Sequence, residues 1–419
     1  MIKSGNKRTP VGMQGIFLCV GVFLAACTPT NSSSVKSLPT TEESAIRDPQ
    51  FSVFLKNLWP EAQRQGITQT TFQNALQGLT FDPKVINISQ RYKAAPIPFG
   101  ERVAKAVSPS RLERGAHALK EWQGTLATLE QTYGVDQRVI LGVWGMESNF
   151  GKNIGNFSVI RALATLAYAS HRKAFFRQEL LAALRILQAG DVSPADMRGS
   201  WDGGMGQTQF MPTSFLRYAV DITGDGRRNI WTSVPDALAS TANYLKEHGW
   251  VTGLPWGFEV RLPSGFHAWG SASHALSTWA DMGLMKANGE PLPQLNASAR
   301  LYLPVGRHGP VFLLTSNFKV VKRYNNSDAY ALSALHLGDR LYGGGPLVGQ
   351  WPAALDHLSP LEQEEIQSRL KSKGYDVGEV DGHLGEQTQR AIMAYQTQKG
   401  FVPDGHADKN LLQSLRGQP

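Results

Sequence analysis

The stretch Val143-Trp144-Gly145-Met146-Glu147-Ser148-Asn149-Phe150-Gly151 sets a lone carboxylate, Glu147, among apolar and small residues. Apolar neighbours strip water from a carboxyl and let it hold its proton at a higher pH than in solution. A carboxyl kept protonated near neutrality is the general acid that glycosidic bond cleavage requires. A buried Glu on a helix can equally be structural, so the stretch gains weight from a second one, Gly203-Gly204-Met205-Gly206-Gln207-Thr208-Gln209-Phe210-Met211-Pro212. Its glycines, its two amide side chains and a Pro able to open a helix suit a loop lining a polar ligand.

Around these segments the pattern is mainly helical. Arg138 to Phe150 reads as the helix carrying Glu147, and Phe54, Leu55, Leu58 and then Leu119, Trp122, Leu126, Leu129 recur at helical spacing. Ser158 to Ala169, Ala174 to Leu187, Pro235 to Glu247 and Ala329 to Leu341 predict further helices, with Gly190 and Gly249 as stops after the second and third. From about 255 to 322 the chain is richer in Pro, Gly and β-formers (Phe258 to Leu262, Leu301 to Leu303, Val311 to Leu314), which predicts a small β-containing insertion. A linker over 343–357 opens with Gly343-Gly344-Gly345-Pro346. Residues 358–417 then form a separate three-helix unit. Ser359-Pro360-Leu361-Glu362 opens it as a capping box, and Gly374 and Gly400 close its first two helices. Asp381-Gly382-His383 and Asp404-Gly405-His406 precede the two later helices. They read as Asp-Gly turns before they read as a metal pair.

Composition bounds the rest. The chain has 419 residues, room for two or three domains, and 42% hydrophobic residues with ten Trp support a real core. A formal charge of +8 favours an anionic polymer or surface. No arginine-rich arm, zinc-finger spacing or aromatic RNA-binding signature accompanies it, so nucleic acid is not expected. No nucleotide, haem or redox-cofactor motif is present either. At the N-terminus Lys3, Lys7 and Arg8 precede a short apolar run from Ile16 to Ala26, a signal-peptide pattern over residues 1–26. Leu24-Ala25-Ala26-Cys27 resembles a bacterial lipobox, with cleavage before Cys27 and acylation of that residue as the membrane anchor. An ordinary signal with an incidental Cys is the plainer alternative. With Cys19 removed and Cys27 lipidated, the mature fold would hold no disulfide. Residues 27–48, polar and rich in Ser and Pro, read as a flexible tether. Thr28 after the lipobox points to the outer membrane of a Gram-negative bacterium, facing the periplasm.

The two quoted segments, with Ile230-Trp231-Thr232-Ser233-Val234-Pro235-Asp236-Ala237-Leu238-Ala239-Ser240 and Asn243-Tyr244-Leu245, resemble the membrane-bound lytic murein transglycosylase B family over about residues 50–340. Residues 358–417 resemble the three-helix peptidoglycan-binding domain, through Gly374-Tyr375, Asp381-Gly382, Gly385, Thr388, Ala391-Ile392, Tyr395-Gln396 and Gly400-Phe401. The resemblance implies a lysozyme-like, α-rich catalytic domain over 49–342 acting on peptidoglycan. Its reaction cuts the β-1,4 bond between N-acetylmuramic acid and N-acetylglucosamine without water and leaves 1,6-anhydro ends. Glu147 would serve as acid and then base, and no cofactor is required. By the same resemblance Ser200, Gln209, Tyr244, Tyr324 and Tyr330 are sugar contacts, although any one Tyr can equally be a core residue. Asp202 departs from the pattern, where small apolar residues are common. It reads as a solvated loop Asp, or else as a second carboxylate that would favour a hydrolytic, lysozyme-type muramidase. A third reading is a wall-tethering lipoprotein without catalysis, against which an intact Glu147 segment argues.

Asp221-Ile222-Thr223-Gly224-Asp225-Gly226-Arg227-Arg228-Asn229 resembles an EF-hand calcium loop. Asp221, Thr223 and Asp225 supply the early ligands, and Arg227 supplies its backbone carbonyl. Position twelve is Thr232 where a bidentate acid belongs, so any calcium bound there should be weak and structural. Asp236 either closes a longer loop or completes a capping box with Ser233.

Overall fold

The structure is a computed structural model describing residues 48–91, 97–266, 272–307, 309–352 and 358–417. Cys27, the signal segment and most of the tether lie outside the described residues. Prolines and caps begin most of the early helices. Asp48 accepts the N–H groups of Gln50 and Phe51 at 2.8 and 3.2 Å, and Pro49 opens α1 (Pro49–Asn57). It is followed by α2 (Trp59–Arg64), α3 (Gln69–Leu76), α4 (Pro83–Arg91), α5 (Phe99–Ala106), α6 (Pro109–Tyr133) and α7 (Gln137–Ser148). A two-residue strand β1 (Phe157–Ser158) leads into α8 (Val159–Ala169) and α9 (Lys173–Ala189). Antiparallel to β1 runs β2 (Arg198–Gly199), before α10 (Pro212–Tyr218) and α11 (Val234–Glu247).

The insertion is an antiparallel sheet of β3 (Gly257–Arg261), β4 (Ser273–Ala275), β5 (Met285–Lys286), β6 (Ser298–Tyr302) and β7 (Val311–Leu314), in the order β4-β6-β7-β3-β5. A short helix α12 (Leu276–Asp281) packs under it, and Val260, Leu276, Trp279, Leu301 and Leu313 form a local core there. Trp279 is 1% exposed and donates its indole N–H to the Ala299 carbonyl at 2.8 Å, so the burial strands no polar atom. The sheet ends earlier than the β-rich composition suggested. Thr315 caps a helix, α13 (Ser316–Tyr324), in a stretch whose Val320-Val321 pair reads locally as strand. Phe318 and Val321 lie one helical turn apart, and both are fully buried, so tertiary packing overrides the β-branched preference.

The last helix of the large unit, α14 (Asp328–Leu341), crosses α7 at the centre of the main core. Every residue of α14 from Ala329 to Gly338 is buried, as is every residue of α7 from Val139 to Gly145. A helix apolar on all sides belongs in the middle of a domain. Their backbones meet because neither has a side chain at the crossing. A Cβ on Gly142 would lie 2.1 Å from the Ala334 carbonyl oxygen, and one on Gly338 would lie 2.2 Å from that of Arg138.

The C-terminal unit comprises α15 (Pro360–Ser372), α16 (Glu386–Gln398) and α17 (Lys409–Arg416) around its own core of Ile366, Leu370, Ile392, Tyr395 and Leu412. Both Asp-Gly-His turns are held by a buried glutamine. Gln367 accepts the N–H groups of Asp381 and Gly382 and donates to the Asp381 carboxylate. Gln396 accepts the Gly405 N–H and donates to Asp404. This is turn architecture, and among the described residues neither turn belongs to a cluster able to hold a metal. Residues 348–351 of the segment joining the two units are held in place. Glu259 accepts the N–H groups of Val348 and Gly349 at 2.9 and 2.8 Å, and Trp351 packs on Phe99 with ring centroids 5.5 Å apart. The Asp404 turn itself rests on the large unit, where the Arg307 N–H donates to its carboxylate at 3.2 Å.

Gly142→Ala should therefore destabilise the protein by about 1–3 kcal/mol, the usual cost of overpacking. Gly124→Ala, in α6 with open space around it, should be neutral or stabilising by up to about 1 kcal/mol. Denaturant unfolding of both variants checks the contrast.

Candidate active site

Glu147 occupies the last turn of α7, and the way that helix ends aims it. Asn149 and Phe150 follow at φ 52° and 60°, and Gly151 at 77°. Two successive non-glycine residues in the left-handed region are strained, by roughly 1–3 kcal/mol each when not Asn or Asp. Local bonds hold the turn: the Ser148 hydroxyl accepts the Gly151 N–H at 3.0 Å, and the Ser148 carbonyl accepts that of Asn153 at 2.8 Å. Phe150 is locked edge-on against Trp144, with centroids 5.7 Å apart. Trp144 in turn donates its indole N–H to Gln207 Oε1 at 2.9 Å, which ties the end of α7 to the glycine-rich segment. Among the described residues the third non-glycine residue with positive φ is Gln209, at 51° in that same segment. Among the described residues, non-glycine positive-φ backbone thus falls in the two stretches that the Trp144–Gln207 bond ties together.

From α14 the Tyr330 hydroxyl donates a hydrogen bond to Glu147 Oε1. Burial pushes the Glu147 carboxyl up from its ordinary value to about 8. The Tyr330 bond opposes the rise and the nearby negative charge of Asp202 reinforces it. Asp202 is therefore no solvated bystander. It is half-buried, and it accepts a 2.5 Å hydrogen bond from the Ser200 hydroxyl. Ser200 Oγ also accepts the Gly204 N–H at 2.9 Å. With its proton committed to Asp202, Ser200 can offer a ligand only a lone pair. Gln209 has a similar limit. Its amide nitrogen donates to the carbonyls of Ile154 and Gly206 at 3.0 and 2.8 Å, leaving the acceptor Oε1 for a ligand.

The tyrosines expected to touch sugar divide differently. Tyr244, on α11 and 8% exposed, donates to the Arg323 carbonyl at 2.7 Å, and burial pushes its hydroxyl pKa up. Tyr330, 2% exposed, is turned onto Glu147. Half-buried Tyr324, the last residue of α13, donates to the Thr208 carbonyl at 2.8 Å. Tyr244, Tyr324 and Phe210 pack with centroids 4.8 to 5.7 Å apart. All three tyrosines expected to meet the sugar thus stand at or next to the Glu147 site, with their hydroxyls on protein acceptors. Tyr244 and Tyr330 are buried there, whereas Ser200, Gln209 and Tyr324 are half-buried. The Ser200–Asp202 pair was legible only as the spacing Ser-x-Asp, which carries no specific signal.

The carboxylates of Asp221, Asp225 and Asp236 converge elsewhere, with one oxygen of each within 4.8 Å of the others. Asp221 accepts the N–H groups of Gly224 and Gly226 at 2.7 and 2.8 Å and the Thr223 hydroxyl at 3.1 Å. Burial works to raise its pKa, but these donors outweigh it and hold the carboxyl below its ordinary value. Fully buried Asp236 accepts the N–H groups of Ile222 and Asn229, and its own N–H donates to Ser233 at 3.3 Å. It thus both closes the loop and takes part in the helix cap. Thr232, at the twelfth position, accepts from the Asn229 side chain. Three hard oxygen donors suit calcium, but their lone pairs are already partly taken by the loop's own N–H groups.

Residues 50–339 match the Transglycosylase SLT domain family, and residues 362–415 match a peptidoglycan binding domain. Membrane-bound lytic murein transglycosylase B of Escherichia coli strain K12 is 35% identical over 240 residues, which are 56% of this chain and 64% of that protein. The chain therefore spans somewhat less than two thirds of that relative. SltB3 from Pseudomonas aeruginosa, solved in complex with NAG-anhNAM-pentapeptide, is 43% identical with a TM-score of 0.83, covering 87% of this chain and 99% of SltB3. The Escherichia coli lytic transglycosylase Slt35, solved in complex with calcium, is 28% identical with a TM-score of 0.58, covering 71% and 93% of the two chains. The large unit built around Glu147 places this chain in the SLT-domain family of lytic transglycosylases.

Proposed function

We propose that this protein is a lytic murein transglycosylase that cleaves the β-1,4 bond between N-acetylmuramic acid and N-acetylglucosamine without water. The observation that carries the reading is the single carboxyl at the junction of the two strained segments, held protonated near neutrality by burial and gripped by Tyr330. Protonated Glu147 donates to the glycosidic oxygen as the C1–O4 bond breaks, and the glucosamine leaves with its 4-hydroxyl restored. The muramoyl O6 then bonds to C1 while its proton passes to the Glu147 carboxylate. The acid is thereby regenerated, and a 1,6-anhydro end results. The Tyr330 hydroxyl holds the carboxylate in the interval, and Ser200 and Gln209 accept from hydroxyl or acetamido N–H groups of the sugar. Asp202 favours a muramidase as the second reading, because its charge reaches Glu147. Its bond to Ser200 makes it a partner of the wall rather than a holder of water.

The C-terminal unit, in this proposal, binds murein without catalysis. The anchor at Cys27, and with it an outer-membrane location facing the periplasm, is supported by the n-region, the apolar run and the lipobox-like Leu24-Ala25-Ala26-Cys27. Among the described residues no helix is long and apolar enough to cross a membrane. Calcium would be held by Asp221, Asp225 and Asp236 with Thr223 and the Arg227 carbonyl, as a loop cross-link with no part in the reaction.

Glu147→Gln should lower the rate of anhydro-muropeptide release at the upper end of the 10²–10⁴-fold range typical of acid–base groups, or beyond it. Binding to murein should survive. Because the acid form is the active one at the first step, wild-type activity should fall as pH rises through about 8. Asp202→Asn removes a charge that raises the Glu147 pKa and should move this limb to lower pH. Tyr330→Phe removes a bond that lowers it and should move the limb to higher pH. Limbs that stay fixed in both variants would remove Glu147 as their source.

Cys27→Ser should leave either a soluble processed protein or an uncleaved precursor. A variant still acylated and membrane-bound would refute the anchor. Calcium should raise the unfolding temperature only at concentrations on the order of 10⁻⁴–10⁻³ M, the range of weak loops. Asp225→Asn should abolish that shift without changing activity.

A further inference from the structure

Helices α1 and α2 lie along the first half of α9. Glu61 of α2 pairs with Arg177 of α9. Farther along α9, Gln188 accepts the Thr68 N–H at 2.6 Å and donates to the Gly66 carbonyl at 2.9 Å. Phe54 of α1 packs on Tyr168, three residues before His171, with ring centroids 5.4 Å apart. Helical spacing sets the neighbours of these contacts. Arg64 stands one turn after Glu61 and Lys173 one turn before Arg177, so the two flank the Glu61–Arg177 pair. Lys56 lies on the exposed side of α1, one turn after exposed Val53. The Arg172 guanidinium, next to exposed Lys173, is held over the Phe175 ring, 4.1 Å from its centroid.

The basic charge here is not compensated. Residues 48–91 and 159–190 carry nine Lys and Arg against four carboxylates, and all four carboxylates are engaged. Asp48 caps α1, Glu61 holds Arg177, Asp82 pairs with Arg161 at 3.5 Å, and buried Glu179 accepts from Thr213 at 2.7 and 2.9 Å. None is left for Lys56, Arg64 or Lys173, all three of them exposed. Such a patch attracts an anionic surface.

The course of the chain selects the surface. Helix α1 opens at Pro49, so the segment from Cys27 leads straight into this face. Residues 28–47 reach at most about 70 Å when extended. Acyl chains at Cys27 would therefore hold the fold by α1, the side that carries the basic residues.

We propose that this face docks on the membrane, with Lys56, Arg64 and Lys173 taking the phosphates of anionic phospholipid headgroups and Val53 reaching the edge of the apolar layer. The anchor then limits the distance of the large unit from the bilayer, and the face sets its orientation. From the Cys27 reading the proposal takes only which side lies nearest the bilayer, and lipid binding can be measured without the anchor.

The test uses the full chain from residue 27 with Cys27→Ser, so that no acyl chain contributes. It should sediment with vesicles of phosphatidylethanolamine and phosphatidylglycerol at low salt, and stay in solution with vesicles of phosphatidylcholine. Lys56→Gln, Arg64→Gln and Lys173→Gln should each weaken sedimentation about fivefold, the effect of one basic residue close to an anionic surface, and together by about tenfold or more. The triple variant Lys371→Gln, Lys373→Gln, Lys399→Gln, on exposed positions of the C-terminal unit, lowers the net charge equally and should leave lipid binding within about twofold. All six positions lie outside the catalytic site, so turnover of soluble glycan reports that both variants are folded. A wild type that ignores phosphatidylglycerol vesicles, or equal losses in the two triple variants, would overturn the proposal. So would a first triple variant that loses as much binding to purified murein as to vesicles, because the strip would then serve the wall. Vesicle binding together with an unacylated Cys27 in cells would count against the anchor alone.

Discussion

The crossing of α7 on α14 is the contact on which the rest depends. It brings backbone against backbone at Gly142 and Gly338, and no other residue type fits that approach without moving a helix. Because the helices are that close, a tyrosine two turns before Gly338 reaches the carboxylate at the end of α7. The large buried faces of both helices make the crossing rigid. A rigid crossing can in turn support the left-handed turn at Asn149 and Phe150, which weaker packing would relax. Stability and strain are thus coupled through one joint.

Around that joint the polar groups are arranged to leave little freedom. The hydroxyls of Tyr244 and Tyr324 go to backbone carbonyls, that of Tyr330 to Glu147, and that of Ser200 to Asp202. What remains for a ligand is a set of acceptors beside one proton-bearing carboxyl. Such a site suits a substrate that brings its own hydroxyl nucleophile, because the protein has only to supply a proton and take one back. Asp202 tunes this balance from the wall. Burial keeps the carboxyl in its acid form, the Tyr330 phenol opposes that rise, and the Asp202 charge adds to it. Preorganised groups of this kind act without reorganising as charge develops.

Much of this was legible in the sequence where chemistry is local. The Glu147 segment, the glycine-rich loop, the Asp-Gly turns and the capping box at Ser359 announce themselves through residue types that allow few alternatives. Helix starts at Pro212 and Pro360 follow from the missing N–H of proline. Long-range relations were not legible. The direction of the Tyr330 hydroxyl depends on a helix nearly two hundred residues from its partner. Helix α13 was hidden because Val320 and Val321 favour strands locally, and only burial against the core reverses that. Strands β4 and β5 are two or three residues long and leave no periodic trace. The anchoring of the 348–349 segment by Glu259 is likewise invisible until β3 is placed, since a glycine-rich linker reads as loose whatever it touches.

The central claim is that the bond is broken without water, by one carboxyl working in both directions. Digestion of murein in oxygen-18 water, followed by mass spectrometry of the released muropeptides, tests it most directly. The account predicts 1,6-anhydro ends with no heavy oxygen at the muramic C1. Reducing ends carrying oxygen-18 at that carbon would contradict it and assign the protein to hydrolysis.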